Sequence, residues 1–292
     1  MQNNKIIRFF HSRLFCCLLF LGLSLIASVK IMRRSHVQQQ MITMWMPLPD
    51  SMTEEDARIT FEKLTNGFEE LYPGYGIDLS IYAVDAYQKT LETPNSEFPV
   101  VWIDSPECPI QKMDLSELLH RLEQEHYVTD FSEFQNCVPL SWNIPVVYSC
   151  DLQNRGKVIE RASIPADAEN ADLNVFLEDP HDSIVSDSSR LAVIENNSLT
   201  SGAVCMIPIT ENNLFEVQYQ DYCCINADSD SDSQKIAVLW IGYLLSEQAQ
   251  KILYTEHYGN FPLHKSALSQ TFSQHQALSI IADLAAARED FL

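Results

Sequence analysis

The sequence is poor in basic residues and in glycine. Of its 292 residues, 19 are Lys or Arg against 40 Asp or Glu, so the formal net charge at pH 7 is −21. Nucleic-acid phosphates are bound through Lys and Arg, so this balance argues against a nucleic-acid partner and against a polybasic membrane-binding surface. With 8 glycines, the chain also lacks a glycine-rich phosphate-binding loop.

The motifs of several enzyme classes are missing as well. There is no H-E-x-x-H and no G-x-S-x-G sequence, and the cysteine spacing matches no zinc site. The acidic run 228–232 resembles the start of a calcium loop but has Ser233 and Leu239 where that loop needs glycine and glutamate. We therefore predict no metal ion and no cofactor, and expect these carboxylates at the N-terminus of the following helix.

A largely apolar run, Leu14–Val29, lies between basic residues near the N-terminus. Residues 1–34 hold six basic and no acidic residues, and the remainder holds 13 basic and 40 acidic ones. This is the layout of an export signal, although a spanning helix usually needs about 20 apolar residues. A cleaved signal and a retained inner-membrane anchor both stay open. Either would place the body in the periplasm or another extracytoplasmic space.

Six cysteines remain in the body, at positions 108, 137, 150, 205, 223 and 224. An even number in an exported protein permits up to three disulfides, and about fifteen pairings are possible. Cys223 and Cys224 are adjacent on an expected strand and point to opposite faces. We expect these two to be ordinary buried residues.

The first half of the body alternates strands with helices. Strands are predicted at Ile42–Met46, 77–82 and Val100–Ile103, with a helix after each, the first of them begun by a capping box of Ser51 and Glu54. This order predicts an α/β fold with an open, mostly parallel sheet. The 46% hydrophobic content excludes a disordered chain.

The second half is less regular. Residues 151–190 are acidic and loop-rich, and short strands are predicted at 191–195, 204–209 and 217–226. A helical stretch over 237–252, which Ser246 and Glu247 could restart, and a last helix near 278–285 follow. We divide the chain into a signal or anchor (1–34), a first lobe (41–145 with about 215–272) and a reduced second lobe (146–214 with 273–292).

Aromatic and carboxylate residues lie at or just past the ends of these strands. In open parallel sheets, ligands bind beyond the carboxyl ends of the strands. Rings and carboxylates there suit a flat or cationic organic ligand through stacking, cation–π contact and charge pairing. The predicted ligand-binding residues are Trp45, Tyr87, Asp104, Trp142, Asn143, Tyr219 and Asp221.

With these segments in place, the chain resembles the type 2 periplasmic solute-binding proteins. The similar segments are strand 42–46, the helix ending at Phe68–Gly74, residues 87–91, 237–250 and 259–266. The resemblance covers roughly residues 41–150 and 190–270. It implies two α/β lobes hinged around a small-molecule ligand, and delivery of that ligand to an ABC-type membrane permease.

Local sequence is also similar to the thiamine pyridinylase (thiaminase I) branch of that fold. The similar segments are 85–87, 101–105 and 218–221. The resemblance implies a cysteine nucleophile and a glutamate base. Glu195 takes the base position, but Asn143 takes the nucleophile's place and cannot form a thiolate. An enzyme would need a neighbouring cysteine such as Cys137.

Three functions follow from the sequence. The first is an exported or membrane-tethered, non-enzymatic binding protein for a small organic solute. The second is a thiamine pyridinylase-like transferase that cleaves thiamine. The third is a degenerate, non-binding member of the fold or an interaction module whose acidic surface meets a basic partner.

Overall fold

The computed structural model describes most of the body of the chain. The described residues are 39–49, 52–92, 98–104, 108–122, 124–164, 166–169, 171–180, 183–197, 200–212, 214–254, 260–274 and 278–286. The expected signal or anchor at 1–34 lies outside them. Within these ranges, no helix has the length and apolarity needed to cross a bilayer.

The described residues form short strands in three sheets, together with helices of 4 to 18 residues. In chain order the strands are β1 (Gln40–Pro47), β2 (Tyr75–Tyr82), β3 (Val101–Ile103), β4 (Ser141–Asn143), β5 (Pro145–Ser149), β6 (Ile159–Glu160), β7 (Ser183–Asp187), β8 (Cys205–Glu211), β9 (Leu214–Phe215), β10 (Gln218–Gln220), β11 (Cys223–Ile225) and β12 (Phe261–Pro262). The helices are α1 (Glu54–Leu71), α2 (Val84–Glu92), α3 (Ser116–Arg121), α4 (Ala166–Glu169), α5 (Leu173–Glu178), α6 (Leu191–Asn196), α7 (Ser231–Leu244), α8 (Glu247–Tyr254), α9 (Lys265–Gln274) and α10 (Ser279–Ala286).

The first sheet has the strand order β2-β1-β3-β11. Strand β1 pairs in parallel with both β2 and β3, and β11 joins β3 in the antiparallel direction. The helices α1 and α2 connect the parallel strands, as the alternating pattern of the sequence requires. The predicted β-α-β-α-β order of this lobe is confirmed.

Helices cover both faces of the first sheet. On one face, Met44 of β1 is fully buried and its sulfur accepts a hydrogen bond from the Trp240 indole of α7 at 3.0 Å. Phe68 of α1 packs edge-on against the same indole, with ring centroids 5.2 Å apart. On the other face, the row formed by Trp45, Trp102 and Cys224 lies beneath α2. Burial on both sides explains why β3 is entirely apolar.

A small central sheet joins the first sheet to a second one. In the central sheet β4 lies between β10 and β12, and in the second the order is β6-β8-β5-β7, with β9 paired to β8. Strand β4 runs into β5 through Ile144 alone, so the chain passes between lobes with almost no linker. The lobe boundaries given above stay a prediction.

Three local predictions differ from the structure. Residues 191–195 form helix α6 and not a strand, because a short apolar run has no periodicity that separates the two. The expected strand 217–226 is divided into β10 and β11 at Asp221, whose φ is 55°. Helix α1 is capped by Thr53, whose hydroxyl accepts the Asp56 N–H; Ser51 lies outside the described residues.

The acidic run at 228–232 caps a helix, as predicted. Asp230 is the N-cap of α7, and its carboxylate accepts the backbone N–H groups of Asp232 and Ser233, both at 3.0 Å. Hydrogen bonds from Ser233 lower the pKa of Asp230. The predicted restart of the helix is also confirmed, since α8 begins at Glu247 after Ser246.

Replacing this cap tests its contribution to stability. We expect Asp230→Ala to lower the free energy of unfolding, because two helix N–H groups lose their acceptor. The measurement is the urea midpoint of full-length protein. Asp228→Ala removes an exposed carboxylate two residues away and should change the midpoint far less; equal effects of the two variants would contradict the capping role.

Candidate ligand-binding site

The parallel strands of the first sheet end together at one edge. Because β1, β2 and β3 run in the same direction, Pro47, Tyr82 and Asp104 lie at their carboxyl ends. Strand β11 is antiparallel to β3, so the residues before it, including Tyr222, reach the same edge. We call the set Trp45, Tyr82, Asp104, Asp221 and Tyr222 the carboxyl edge.

One aromatic cluster lies on β1 and β2. The half-buried rings of Trp45 and Tyr82 meet edge to face, with centroids 5.6 Å apart. Tyr82 also lies 6.1 Å from the buried ring of Tyr87. Contacts of this kind hold Trp45 and Tyr82 in fixed orientations while leaving part of each ring accessible.

A second aromatic cluster lies across the edge. Phe134 meets the ring of Tyr219 at 5.4 Å and that of Tyr222 at 6.2 Å. The Thr129 hydroxyl donates a hydrogen bond to the Tyr219 hydroxyl at 2.8 Å. All three rings are half-buried. The edge therefore carries accessible aromatic surface on both sides.

Asp104 lies between the two aromatic clusters. Its backbone N–H donates to the Tyr222 carbonyl at 2.6 Å, and its Oδ2 accepts from the Lys112 ammonium at 2.5 Å. The other carboxylate oxygen, Oδ1, is buried and has no hydrogen-bond partner among the described residues. A buried acceptor without a donor costs free energy, which a ligand hydroxyl or cation can recover.

Asp221 lies between β10 and β11 and contacts β4, the strand that leads into the second sheet. We call β4, β10 and the residues between β10 and β11 the hinge. Its backbone adopts the left-handed conformation with φ 55°, and its Oδ2 accepts from the Ser141 hydroxyl of β4 at 2.8 Å. It lines a cavity of about 60 Å³ together with Asn260, whose Oδ1 is buried and has no partner within the described chain. Ligand pockets usually exceed about 300 Å³, so this cavity by itself is too small to enclose a drug-sized ligand.

The structure places three of the predicted site residues in the interior. Tyr87 is 4% exposed, donates its hydroxyl to the Ile103 carbonyl at 2.5 Å, and burial raises its phenol pKa. Trp142 has no exposed surface, and its indole N–H donates to the Pro262 carbonyl at 3.0 Å. Asn143 is 3% exposed. Their burial disfavours direct ligand contact: Tyr87 lies on α2 and packs against the first sheet, and Trp142 and Asn143 lie on β4, the middle strand of the central sheet.

The two residues expected for an enzyme lie in different parts of the fold. Glu195 is on α6, where it lines a cavity of about 460 Å³ in the second lobe with Arg155 and Cys205. Cys137 is half-buried and packs with Cys224 against the first sheet. The nucleophile and base predicted from the resemblance are therefore not placed at one centre.

The thiol of Cys137 has an unusual environment. A hydrogen bond from Cys224 and the positive charge of Lys112 lower the pKa of Cys137 to about 7, although burial opposes the shift. At Cys205, burial is the largest influence and raises the pKa of the thiol. Among the described residues, no three His, Cys, Asp or Glu side chains are grouped closely enough to hold a metal ion.

Sequence reasoning missed Tyr82, Phe134, Tyr222 and Lys112. Tyr82 ends a predicted strand, so the rule that placed Asp104 at the edge could also have found Tyr82. The sequence did not indicate that Tyr222 lies at the edge, because residues 217–226 were predicted to be one continuous strand. Lys112 and Phe134 lie in irregular segments, and only their contacts with Asp104 and Tyr219 reveal them.

The lowered pKa of Cys137 predicts its reactivity with iodoacetamide. The thiolate is the reactive form, so the rate in reduced protein should rise with pH through a midpoint near 7, below the value of about 8.5 for an ordinary thiol. Lys112→Met should move the midpoint upward, because the thiolate loses a positive charge. Mass spectrometry of the labelled peptides gives each rate.

The matched control is Lys235→Met. Lys235 is an exposed lysine paired with Asp232, and its loss should leave the Cys137 midpoint unchanged. Cys205, read from the same samples, should titrate at higher pH. A Cys137 midpoint at or above that of Cys205 would overturn this description of the site.

Solved structures share the fold of this chain. Similar ones include an ABC substrate-binding protein from Listeria monocytogenes in complex with cycloalternan (TM-score 0.58, 10% identity, 84% of this chain and 87% of that chain covered). Another is an ABC transporter solute-binding protein from Thermotoga lettingae bound with α-D-tagatose (TM-score 0.57, 12% identity, 84% and 87% covered). A third is the maltose/maltodextrin-binding domain from Bdellovibrio bacteriovorus bound to maltotriose (TM-score 0.52, 12% identity, 84% and 87% covered).

At sequence identities of 10–12%, the structural similarity to these proteins shows the fold alone. No protein-family model and no curated protein matches the sequence. The mixed α/β sheets and the structural neighbours together confirm the predicted fold class. The chain has the two-lobed fold of the type 2 periplasmic solute-binding proteins.

Proposed function

We propose that the protein is an extracytoplasmic solute-binding protein for a small polar organic ligand, which it delivers to an ABC-type permease. The observation that carries the proposal is the carboxyl edge, where two half-buried aromatic clusters flank Asp104, whose Oδ1 has no hydrogen-bond partner among the residues that the structure describes. The location agrees with the general position of ligands in open α/β sheets. Tyr219 and Asp221 remain in the proposed site.

The chemistry of the edge favours carbohydrates as the first ligand class. Aromatic faces stack on the apolar faces of sugars and on flat rings, while carboxylates accept hydrogen bonds from hydroxyl groups. The structural neighbours contain cycloalternan, tagatose and maltotriose. A cationic organic ligand is the second class, since carboxylates and aromatic rings also attract positive charge.

The second lobe presents polar groups near the same hinge. Asp187 at the end of β7 lies opposite Pro145, two residues past the end of β4. The same β4 strand holds Asp221 through Ser141. Carboxylates from both lobes therefore lie close to the crossing strands, where lobe closure in this fold would enclose a ligand.

The N-terminal run 14–29 supports export from the cytoplasm, either as a cleaved signal or as an anchor. An anchored protein would hold the ligand near the membrane surface where a permease lies. Fractionation of cells that express the full chain, followed by N-terminal sequencing, distinguishes the two forms.

Calorimetric titration of full-length protein tests ligand binding. The probes are maltotriose, D-tagatose and thiamine, and we expect a sugar to bind. Tyr82→Ala should weaken binding about tenfold, because one stacking wall is lost, and Asp104→Asn should weaken it about tenfold or more, because a charged acceptor becomes neutral.

Matched controls lie on the same strand. Tyr75 is the half-buried aromatic residue at the opposite end of β2, and Asp78 is an exposed carboxylate in its middle. Tyr75→Ala and Asp78→Asn should bind like the wild type. Absence of binding by all three probes at millimolar concentration, or equal losses in the Tyr75 and Tyr82 variants, would refute the proposed site and favour an interaction module.

A second candidate function is a thiamine pyridinylase-like transfer reaction. The observation that favours it is the lowered pKa of Cys137, since a thiolate is the nucleophile such a reaction needs. The remote position of Glu195 counts against it. Another base, such as Asp104 near Cys137, would have to accept the proton.

Incubation with thiamine and aniline discriminates this candidate from simple binding. An enzyme would release the thiazole, which chromatography detects, and Cys137→Ser would abolish the release while Cys205→Ser would not. Retention of activity in Cys137→Ser, or absence of thiazole with the wild type, would dismiss this function.

A further inference from the structure

Cys137 and Cys224 lie on two neighbouring antiparallel segments, and the pairing of Val138 with Cys223 sets the register between these segments. Val138 and Cys223 exchange both backbone hydrogen bonds, with N···O distances of 3.0 and 2.7 Å. They therefore form a hydrogen-bonded antiparallel pair. The same register continues in the central sheet, where β4 pairs with β10 and Trp142 lies opposite Tyr219.

The neighbouring pair in this register is Cys137 with Cys224. Next to a hydrogen-bonded pair comes a non-hydrogen-bonded pair, whose Cα atoms are about 4.5 Å apart and whose side chains lie on the same face. A disulfide accepts Cα separations of about 4.4–6.8 Å. The two side chains also pack in one cluster, with Trp102 of β3 beside Cys224.

We propose that Cys137 and Cys224 form a disulfide when the protein is exposed to an oxidising environment. Cys223 and the pair Cys150 and Cys205 fit less well. Cys223 points to the opposite face and is fully buried. In the β5–β8 register Cys205 lies opposite Ser149, so Cys150 projects from the other face and is not aligned with Cys205.

The environment favours Cys137 as the attacking thiol. It is half-buried, whereas Cys224 has no exposed surface. Lys112, which is paired with Asp104, contributes to lowering the Cys137 pKa, and the hydrogen bond to Cys137 raises that of Cys224. The disulfide of an oxidant therefore reacts first with Cys137, whose sulfur is more accessible and more ionised than that of Cys224.

The reaction requires a disulfide oxidant, such as oxidised glutathione or an oxidised thiol oxidoreductase. The Cys137 thiolate attacks one sulfur of the oxidant and expels the other as a thiolate. Cys224 then loses its proton and attacks Cys137 Sγ, which expels the second thiolate. In total the two cysteine thiols lose two protons and two electrons, and the oxidant becomes two thiols.

The cross-link would join the two ends of the second-lobe segment. Residues 138–223 lie between the two cysteines and contain β4 to β10, including the whole second sheet. The disulfide would also fix Asp221 and Tyr222 next to Cys224. It would therefore secure the base of the hinge and one side of the carboxyl edge. This inference does not depend on the identity or existence of a ligand.

Peptide mapping after oxidation tests the proposal. Full-length protein is reduced, incubated with oxidised glutathione, alkylated and digested. We expect most molecules to contain a peptide cross-linked between Cys137 and the 223–224 pair. Cys224→Ser should abolish this peptide, whereas Cys223→Ala should retain it, which assigns the bond to Cys224. Cys108→Ser and Cys205→Ser are further controls that should retain it.

Thermal unfolding provides a second measurement. In the Cys223→Ala background, oxidation should raise Tm by about 5–10 °C relative to the reduced protein, because the cross-link restricts the unfolded chain. Cys137→Ser should remove this shift. Free alkylation of both cysteines after oxidation, a cross-link through Cys108 or Cys223, or an unchanged Tm would overturn the proposal.

Discussion

The parallel alignment of β1 with β2 and β3 is the constraint on which the rest of the structure depends. Parallel strands need a crossover between them, and here α1 and α2 supply it. The same alignment brings the ends of all three strands to one edge. Met44, in the middle of this sheet, is fixed by the Trp240 indole, so the edge rests on a rigid core.

Asp104 connects the edge to its surroundings in two directions. Through its N–H it holds Tyr222 of the segment before β11, and through its carboxylate it holds Lys112. Lys112 in turn lowers the pKa of Cys137. Asp104, at the end of β3, therefore links the aromatic rings of the proposed ligand site to Cys137 and Cys224. Any oxidation of these two thiols would take place next to the carboxyl edge.

The crossing strand β4 and its neighbour β10 show how position in a sheet decides the burial of an aromatic residue. Trp142 lies on a strand paired on both sides, and its ring lies 4.6 Å from that of Phe261. Its indole N–H is satisfied by the Pro262 carbonyl, so the ring can be buried without an unpaired donor. Tyr219, on the outer strand β10, pairs with Trp142 yet stays half-buried. Position in the sheet, and not residue type, decides which of the two rings stays accessible.

The sequence alone determined the order of strands and helices in the first lobe, since hydrophobic periodicity, helix caps and Pro–Gly breaks are local signals. It also placed Asp104 and Trp45 at strand ends, because the carboxyl-end rule needs only strand direction. Only the tertiary structure decided that 191–195 is helical, that Tyr87 and Trp142 are buried, and that Cys137 faces Cys224. Those outcomes depend on contacts between residues distant in the chain, and a short apolar segment or a single ring has the same local pattern whether its partner is another side chain or a ligand.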